Sequence, residues 1–253
     1  MLDNLQSIFL LVASTAGSLL FMVALNRVWP REKRREHNDQ IGWQLTALGT
    51  TYAVILGFML FAVWSSFESA DLNADLEADT LVNIYRLAAG LPAEQRTRLR
   101  QLTRTYAEVV VNKEWPQMAR GEVPNESRDI DRQMWETIMS IKSGTPTEMN
   151  AADHALYELG SLTQHSRTRI LQSTDRLPGV LWSVLIVGGI LSVASACLFG
   201  SANETLHSLQ VFAFSLLIAL GLVAIAEINR PFQGAVHVHN YAFVRAQENM
   251  ALE

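Results

Sequence analysis

The sequence predicts an all-α membrane protein, with four transmembrane helices and a helical extramembrane domain inserted between the second and third. Three observations carry this. Formal charge is absent from four long runs, Asn4 to Asn26, Gln40 to Phe67, Leu177 to Asn203 and Thr205 to Ala226. Each exceeds the roughly 18–20 apolar residues that cross a bilayer core of about 30 Å. The stretch from Glu68 to Arg176 carries 17 Asp or Glu against 13 Lys or Arg and keeps a helical period throughout. Strand signals are missing, with no alternating Val/Ile/Thr runs and no Asn-Gly hairpins. Global composition, 49% apolar over 253 residues with a net charge of −5, would equally suit soluble domains. A soluble core helix accounts for any one of the four runs, but not for four together.

The first span is placed near residues 6–25. It is not read as a signal peptide, because Met1 to Ser7 carries only Asp3 and no basic residue. The run is also longer than the roughly 7–15 residues of a signal h-region. A basic turn follows, Arg27 to Trp43, with Arg27, Arg31, Lys33, Arg34 and Arg35. Such a turn normally stays in the cytoplasm. Arg86, Arg167, Arg169 and Arg176, with Arg230 and Arg245 in the tail, nearly balance it, so charge alone leaves the orientation open. The second span lies near 46–67, the third near 179–199 and the fourth near 207–226. Trp29 and Trp43 bracket the basic turn, while Trp64 and Trp182 stand at the opposite ends of spans two and three. Indoles favour the headgroup layer, and alternating spans require this arrangement. Cys197 falls inside the third span, outside any disulfide framework.

The second span continues into acidic sequence with no Gly or Pro to break it after Gly57. Thr50, Val54, Phe58, Phe61, Ser65, Glu68, Asp71, Asp75 and Asp79 follow one another at a mean step of about 3.6 residues. One helix face therefore runs from a hydroxyl through apolar and aromatic groups to a second hydroxyl and a ladder of carboxylates. Leaving a membrane, such a face reads as the wall and mouth of a pathway; in water it would be an ordinary solvated stripe.

Beside the acidic face, Leu72, Leu76, Ile84, Leu87 and Leu91 form an apolar stripe. Pro92 opens a long helix at a position where its missing N–H costs nothing. Leu99, Leu102, Tyr106, Val109, Val110 and Lys113 line one side of it up to Trp115-Pro116, and Arg96, Arg98, Arg100 and Arg104 dominate the rest. That basic cluster is read as a solvated face paired with nearby carboxylates. A stretch of net charge −4 lacks the positive excess that nucleic-acid binding requires. After a break at Gly121 to Asn125, Ile130, Met134, Ile138 and Ile141 mark a shorter amphipathic helix. Thr145-Pro146-Thr147-Glu148 is a capping-box signature with proline at the first helical position. The helix it starts carries Leu156, Leu159 and Leu162 towards Pro178. The expected division is 1–67 for the first two spans and their basic turn, 68–176 for the extramembrane domain, 177–228 for the last two spans and 229–253 for the tail.

No phosphate-binding glycine loop, nucleophile elbow or HExxH motif is present. His237 and His239 flank Val238, and two histidines alone do not make a metal site. Glu108 and Glu114, six positions apart, point to different faces and form no catalytic pair. The sequence thus predicts no enzyme, no catalytic residue, no metal and no cofactor. The spans hold no Asp, Glu, Lys or Arg, which disfavours ion-coupled transport.

Several short segments resemble bestrophins. Ile55-Leu56-Gly57-Phe58, within Tyr52 to Phe67, resembles their second transmembrane helix. Leu177-Pro178-Gly179-Val180-Leu181-Trp182 resembles the start of their third, and Ile228-Asn229-Arg230-Pro231-Phe232-Gln233-Gly234 the Asn-Pro-Phe-Gly segment after their fourth. Glu114-Trp115-Pro116 and the tail fit a bacterial, bestrophin-like branch over nearly the whole chain. The resemblance implies a homopentameric ion channel of the bacterial plasma (inner) membrane, multi-pass, with its extramembrane domain in the cytoplasm. It implies a pore lined by the second helix with a constriction at Phe58, Val54 and Thr50, to which Phe61 on the neighbouring turn is added. The partners expected are further copies of the chain, the lipid bilayer and small inorganic ions. Two departures stand out. Arg230 is inserted in the Asn-Pro-Phe-Gly match, and Ala235, Val236 and His237 stand where eukaryotic bestrophins have acids that bind calcium, so no such calcium site is expected. Around the pore axis, Ser65, Glu68, Asp71, Asp75 and Asp79 would become rings at the mouth, favouring cations. The alternative is a membrane-anchored helical scaffold or sensor that docks a protein partner.

Overall fold

The computed structural model describes residues 4–252, and no strand occurs among them. The helices are α1 (Asn4–Val28), α2 (Arg31–Arg35), α3 (Asn38–Leu87), α4 (Ala93–Val109), α5 (Trp115–Ala119), α6 (Arg128–Met139), α7 (Pro146–Thr174), α8 (Gly179–Leu198), α9 (Glu204–Ile228) and α10 (Tyr241–Leu252). A short 3-10 turn, Ala88–Gly90, precedes α4, and a π-turn, Val110–Glu114, follows it. Four helices are long and apolar enough to cross a membrane: α1, α3, α8 and α9. The chain divides into two compact units, Met1–Ser65 with Arg176–Asn229 and Ser66–Asp175 with Arg230–Glu253.

In the first unit small and hydroxylic residues let the helices approach, as lipid-embedded bundles require. The Ser18 hydroxyl donates to Ser215 Oγ at 3.0 Å in a buried seam between α1 and α9, beside Met22, Cys197 and Val211. The Tyr52 hydroxyl on α3 donates to the Leu185 carbonyl of α8 at 3.0 Å. Its ring lies on Gly188 and Gly189, and a Cβ at Gly188 would come within 2.6 Å of that ring. Glycines inside a helix cost roughly 1 kcal/mol each against alanine; here they admit the ring. Gly221 of α9 makes the same room for Leu56.

The basic turn folds onto the end of α8. Arg34 is fully buried, and its guanidinium donates to the Cys197 carbonyl at 2.7 Å and to the Asn26 side chain. A cation at a helix C-terminus satisfies carbonyls that the helix leaves unpaired. Asn38 exchanges two hydrogen bonds of 2.8 Å with the backbone of Gly200. Arg31 pairs with Glu204 at 3.1 Å. Arg31 and Arg34 of this turn thus have partners among the described residues.

In the second unit, α7 begins as its capping box predicts. The Thr145 hydroxyl accepts from the Glu148 N–H, and the Glu148 carboxylate accepts from the Thr145 N–H. The predicted core positions Ile130, Met134 and Ile138 of α6 and Leu159 and Leu162 of α7 are buried. Two details differ. Leu72 and Leu76 are exposed, whereas Ile84 and Leu91 are buried. Eight residues from Leu76 to Ile84 leave an offset of about 80° around a helix, and the inward row here is Ala70, Ala74, Ala78 and Leu81. Lys113, expected on the inner side, is exposed, and Glu114 is buried instead. The π-turn is wider than an α-turn, which advances the inward position by one residue.

Candidate functional site

The predicted face is best taken as two stretches of α3, one in each unit. In the membrane stretch Thr50, Val54, Phe58, Phe61 and Ser65 are all exposed in the protomer. Phe58 and Phe61 show 65% and 69% of their surface, whereas Tyr52 and Val63, on the inward side, show 5% and 4%. The two rings therefore do not pack into the bundle of their own chain. Thr50 differs from the others: with Thr46, Gly49, His207 and Gln210 it borders a groove of about 510 Å³ between α3, α8 and α9.

In the extramembrane stretch Glu68, Asp71 and Asp79 are exposed and Asp75 is half-buried. Burial raises the Asp75 pKa, and Asp71 and Asp79 add to the rise while Arg245 opposes it. Arg245, on α10, donates to Asp75 Oδ1 at 3.4 Å. The arginines of α4 bond elsewhere. Arg96 donates to the Leu91 carbonyl, Arg98 to Gln133, and Arg104 to the Tyr85 hydroxyl and the Met250 carbonyl, while Arg100 lies 4.6 Å over the Tyr85 ring. Among the described residues the expected direct pairing with carboxylates is thus corrected: carbonyls, an amide, a phenol hydroxyl and an aromatic face receive these arginines, while Arg96 acts on the Glu148 carboxylate only through its charge.

Two positions from Asp75, Glu77 points the other way and joins a site that sequence reasoning missed. Its Oε2 and Oε1 accept from Arg169 Nε and Nη2 at 2.7 and 3.1 Å. Arg169 Nη2 also donates to Glu114 Oε2 at 2.7 Å. The remaining acceptors are used as well, by the Tyr106 hydroxyl on Glu77 Oε1 at 2.7 Å and the Ser127 N–H on Glu114 Oε1 at 2.8 Å. All three charged side chains have zero exposure. Burial by itself would lower the Arg169 pKa, but the Glu77 and Glu114 carboxylates outweigh it and raise it, so the guanidinium stays charged. Burial, reinforced by Glu77, pushes the Tyr106 hydroxyl well above its ordinary range, which keeps it a neutral donor. The rings of Trp115 and Phe243 lie within 5.7 and 5.9 Å of the guanidinium carbon. The cluster ties α3, the π-turn, α7 and α10 together, and with every acceptor occupied it is built for cohesion rather than turnover. A signal for it existed. Glu77 sits in the row Ala70, Ala74, Ala78, and Arg169 in the row Leu159, Leu162, Ser173, so each is a charge on a buried face.

The segments after the fourth span have structural roles. The Asn229 side chain accepts from the Leu177 N–H at 2.9 Å, joining the segments before the third span and after the fourth. Phe232 packs edge-on against Trp115 at 5.5 Å, and the Trp115 indole donates to the Val238 carbonyl at 3.1 Å. His237, His239 and Tyr241 stack in sequence, with centroids 4.5 and 4.9 Å apart. No group of three or more metal-ligating side chains occurs among the described residues.

A family model described as Bestrophin-like domain matches residues 12–243. Among solved structures, a substituted form of a bacterial bestrophin homologue from Klebsiella pneumoniae matches with a TM-score of 0.71 at 15% identity, covering 97% of each chain. Another structure of the Klebsiella pneumoniae homologue matches with a TM-score of 0.68 at 16% identity over 96% of each chain. A structure described only as a membrane protein matches with a TM-score of 0.69 at 16% identity over 97% of each chain. At these identities the likeness speaks for the fold. No curated protein matches the chain.

Proposed function

Because this chain belongs to the bestrophin-like family, we propose that it is the protomer of a homo-oligomeric ion channel, a pentamer as the resemblance implies. The protein sits in the bacterial inner membrane with its extramembrane unit on the cytoplasmic side. The membrane stretch of α3 lines the pathway, with Thr50, Val54, Phe58 and Phe61 as its constriction. The extramembrane stretch, Ser65, Glu68, Asp71, Asp75 and Asp79, supplies a mouth that favours cations. The observation that carries this reading is the face itself: every one of these residues is exposed or half-exposed in the protomer. Exposed aromatics are ordinary on a helix that meets lipid. A helix that follows them with carboxylates on the same row is not ordinary, and closed symmetry would turn each carboxylate into a ring. Charged rings set the sign of a permeant ion, and apolar constrictions gate by excluding water.

A membrane-anchored scaffold is the second reading, favoured by Leu72 and Leu76, which are exposed on an extramembrane helix. In an oligomer those are positions for a neighbouring copy to cover.

The test is the reversal potential of the purified protein in planar bilayers under a KCl gradient, for wild type and for Glu68→Gln with Asp71→Asn. Wild type should reverse towards the potassium equilibrium potential, and the double variant should move towards chloride, more so in dilute salt. A wild-type value near the chloride potential removes the cation preference. No current from a folded oligomer favours the scaffold.

A further inference from the structure

The outward carboxylates of α3 have a cation set beside them by a distant part of the chain. Arg245 lies 170 residues from Asp75 in sequence, with its Nη2 at 3.4 Å from Asp75 Oδ1. The pair does not hold Arg245 in place. Both side chains are half-exposed or more, and such pairs contribute little to stability. What positions Arg245 is the buried side of α10. Ala242, Phe243, Ala246 and Met250 are in the core, Phe243 meets Trp115 at 5.7 Å, and Arg104 holds the Met250 carbonyl at 2.6 Å. The guanidinium is thus delivered to the acidic row by packing elsewhere on its helix.

We propose that Arg245 is a built-in counter-charge that sets how strongly the mouth discriminates cations from anions, with Asp75 as the carboxylate it damps. This rests on the reading that the outward row of α3 faces the ion path. Neighbouring rungs of that row are separated by about one helical turn of 5.4 Å. The field of Arg245 reaches them too, since the Debye length is about 8–10 Å at ordinary salt. In a symmetric ring each protomer contributes one such cation, so the carboxylates act at less than their formal charge. The C-terminal helix thereby becomes part of the selectivity apparatus, although it crosses no membrane.

The experiment compares reversal potentials of the full-length channel under a dilute KCl gradient for wild type, Arg245→Gln, Arg245→Lys, Asp75→Asn and the Arg245→Gln/Asp75→Asn double variant. Arg245→Gln should raise the cation-to-anion permeability ratio by about 1.5- to 5-fold, the range of an exposed pair. Arg245→Lys should stay near wild type. The gain should shrink in the Asp75→Asn background and in concentrated salt. If Arg245→Gln leaves the ratio unchanged or lowers it while Glu68→Gln with Asp71→Asn moves it, Arg245 is no counter-charge and the pore reading stands. If neither moves the ratio, the acidic row lies off the ion path and both ideas fall.

Discussion

Asp75 and Glu77 are two residues apart on one helix and carry the same functional group, yet they lead opposite lives. Asp75 is half-buried on the outward row, meets one exposed arginine at 3.4 Å and keeps contact with solvent. Glu77 is fully buried, clamped by Arg169 through two hydrogen bonds and by the Tyr106 hydroxyl. Two residues are about 200° of helix rotation, which separates a wet face from a dry one. The lesson concerns energy. A carboxylate in water is free to act at a distance on mobile ions, while a buried one must be fully paired or it costs several kcal/mol.

The sharpest way to break the contrast is to remove the cation of the buried cluster. Arg169→Leu leaves two buried carboxylates without their cation, with only the Tyr106 hydroxyl and the Ser127 N–H still donating to them, and should destabilise the extramembrane unit by about 3–5 kcal/mol. Thermal unfolding in detergent should show a large fall in Tm or no folded protein at all. A variant that melts like wild type would mean that the cluster is not formed. Asp75→Asn supplies the opposite pole. It removes an exposed pair and should change stability by only about 0–1 kcal/mol; on the proposed pore reading, permeation rather than Tm is the affected property. A fall as large as that of Arg169→Leu would erase the distinction between the two faces.

A third effect, read through pH, belongs to Asp131, which lies in neither the outward row nor the buried cluster. Burial raises its pKa, the Thr163 hydroxyl that donates to it at 3.0 Å opposes the rise, and Glu77 adds to it. The folded protein therefore holds this proton more tightly than the unfolded chain. The stability so gained is fully present below the ordinary aspartate value of about 3.9 and is lost as pH rises through the raised value. Asp131→Asn removes that loss, so its Tm relative to wild type should climb as pH rises across this window. A difference that stays flat with pH, or has the reverse sign, would show that Asp131 is not strained by its surroundings.

Much of the fold was open to inspection from the chain alone, because its signals are local. A run without charge cannot be mistaken when each charge at the centre of a bilayer costs at least a few kcal/mol. The four spans, the outward row from Thr50 to Asp79 and the Thr145–Glu148 cap follow from such short-range rules. What the tertiary structure decided is which surfaces meet. Glu77 and Arg169 are 92 residues apart, Arg169 and Glu114 are 55, and Asp75 and Arg245 are 170. Periodicity places each on a face but says nothing of what lies opposite. A charge on an alanine row becomes intelligible only when its partner arrives from another helix. The π-turn at Val110–Glu114 shows the same limit from the other side. One extra residue in that turn, next to Pro116, which has no N–H to continue the helical ladder, accompanies Glu114 in the core in place of Lys113, and Arg169 from another helix completes the cluster.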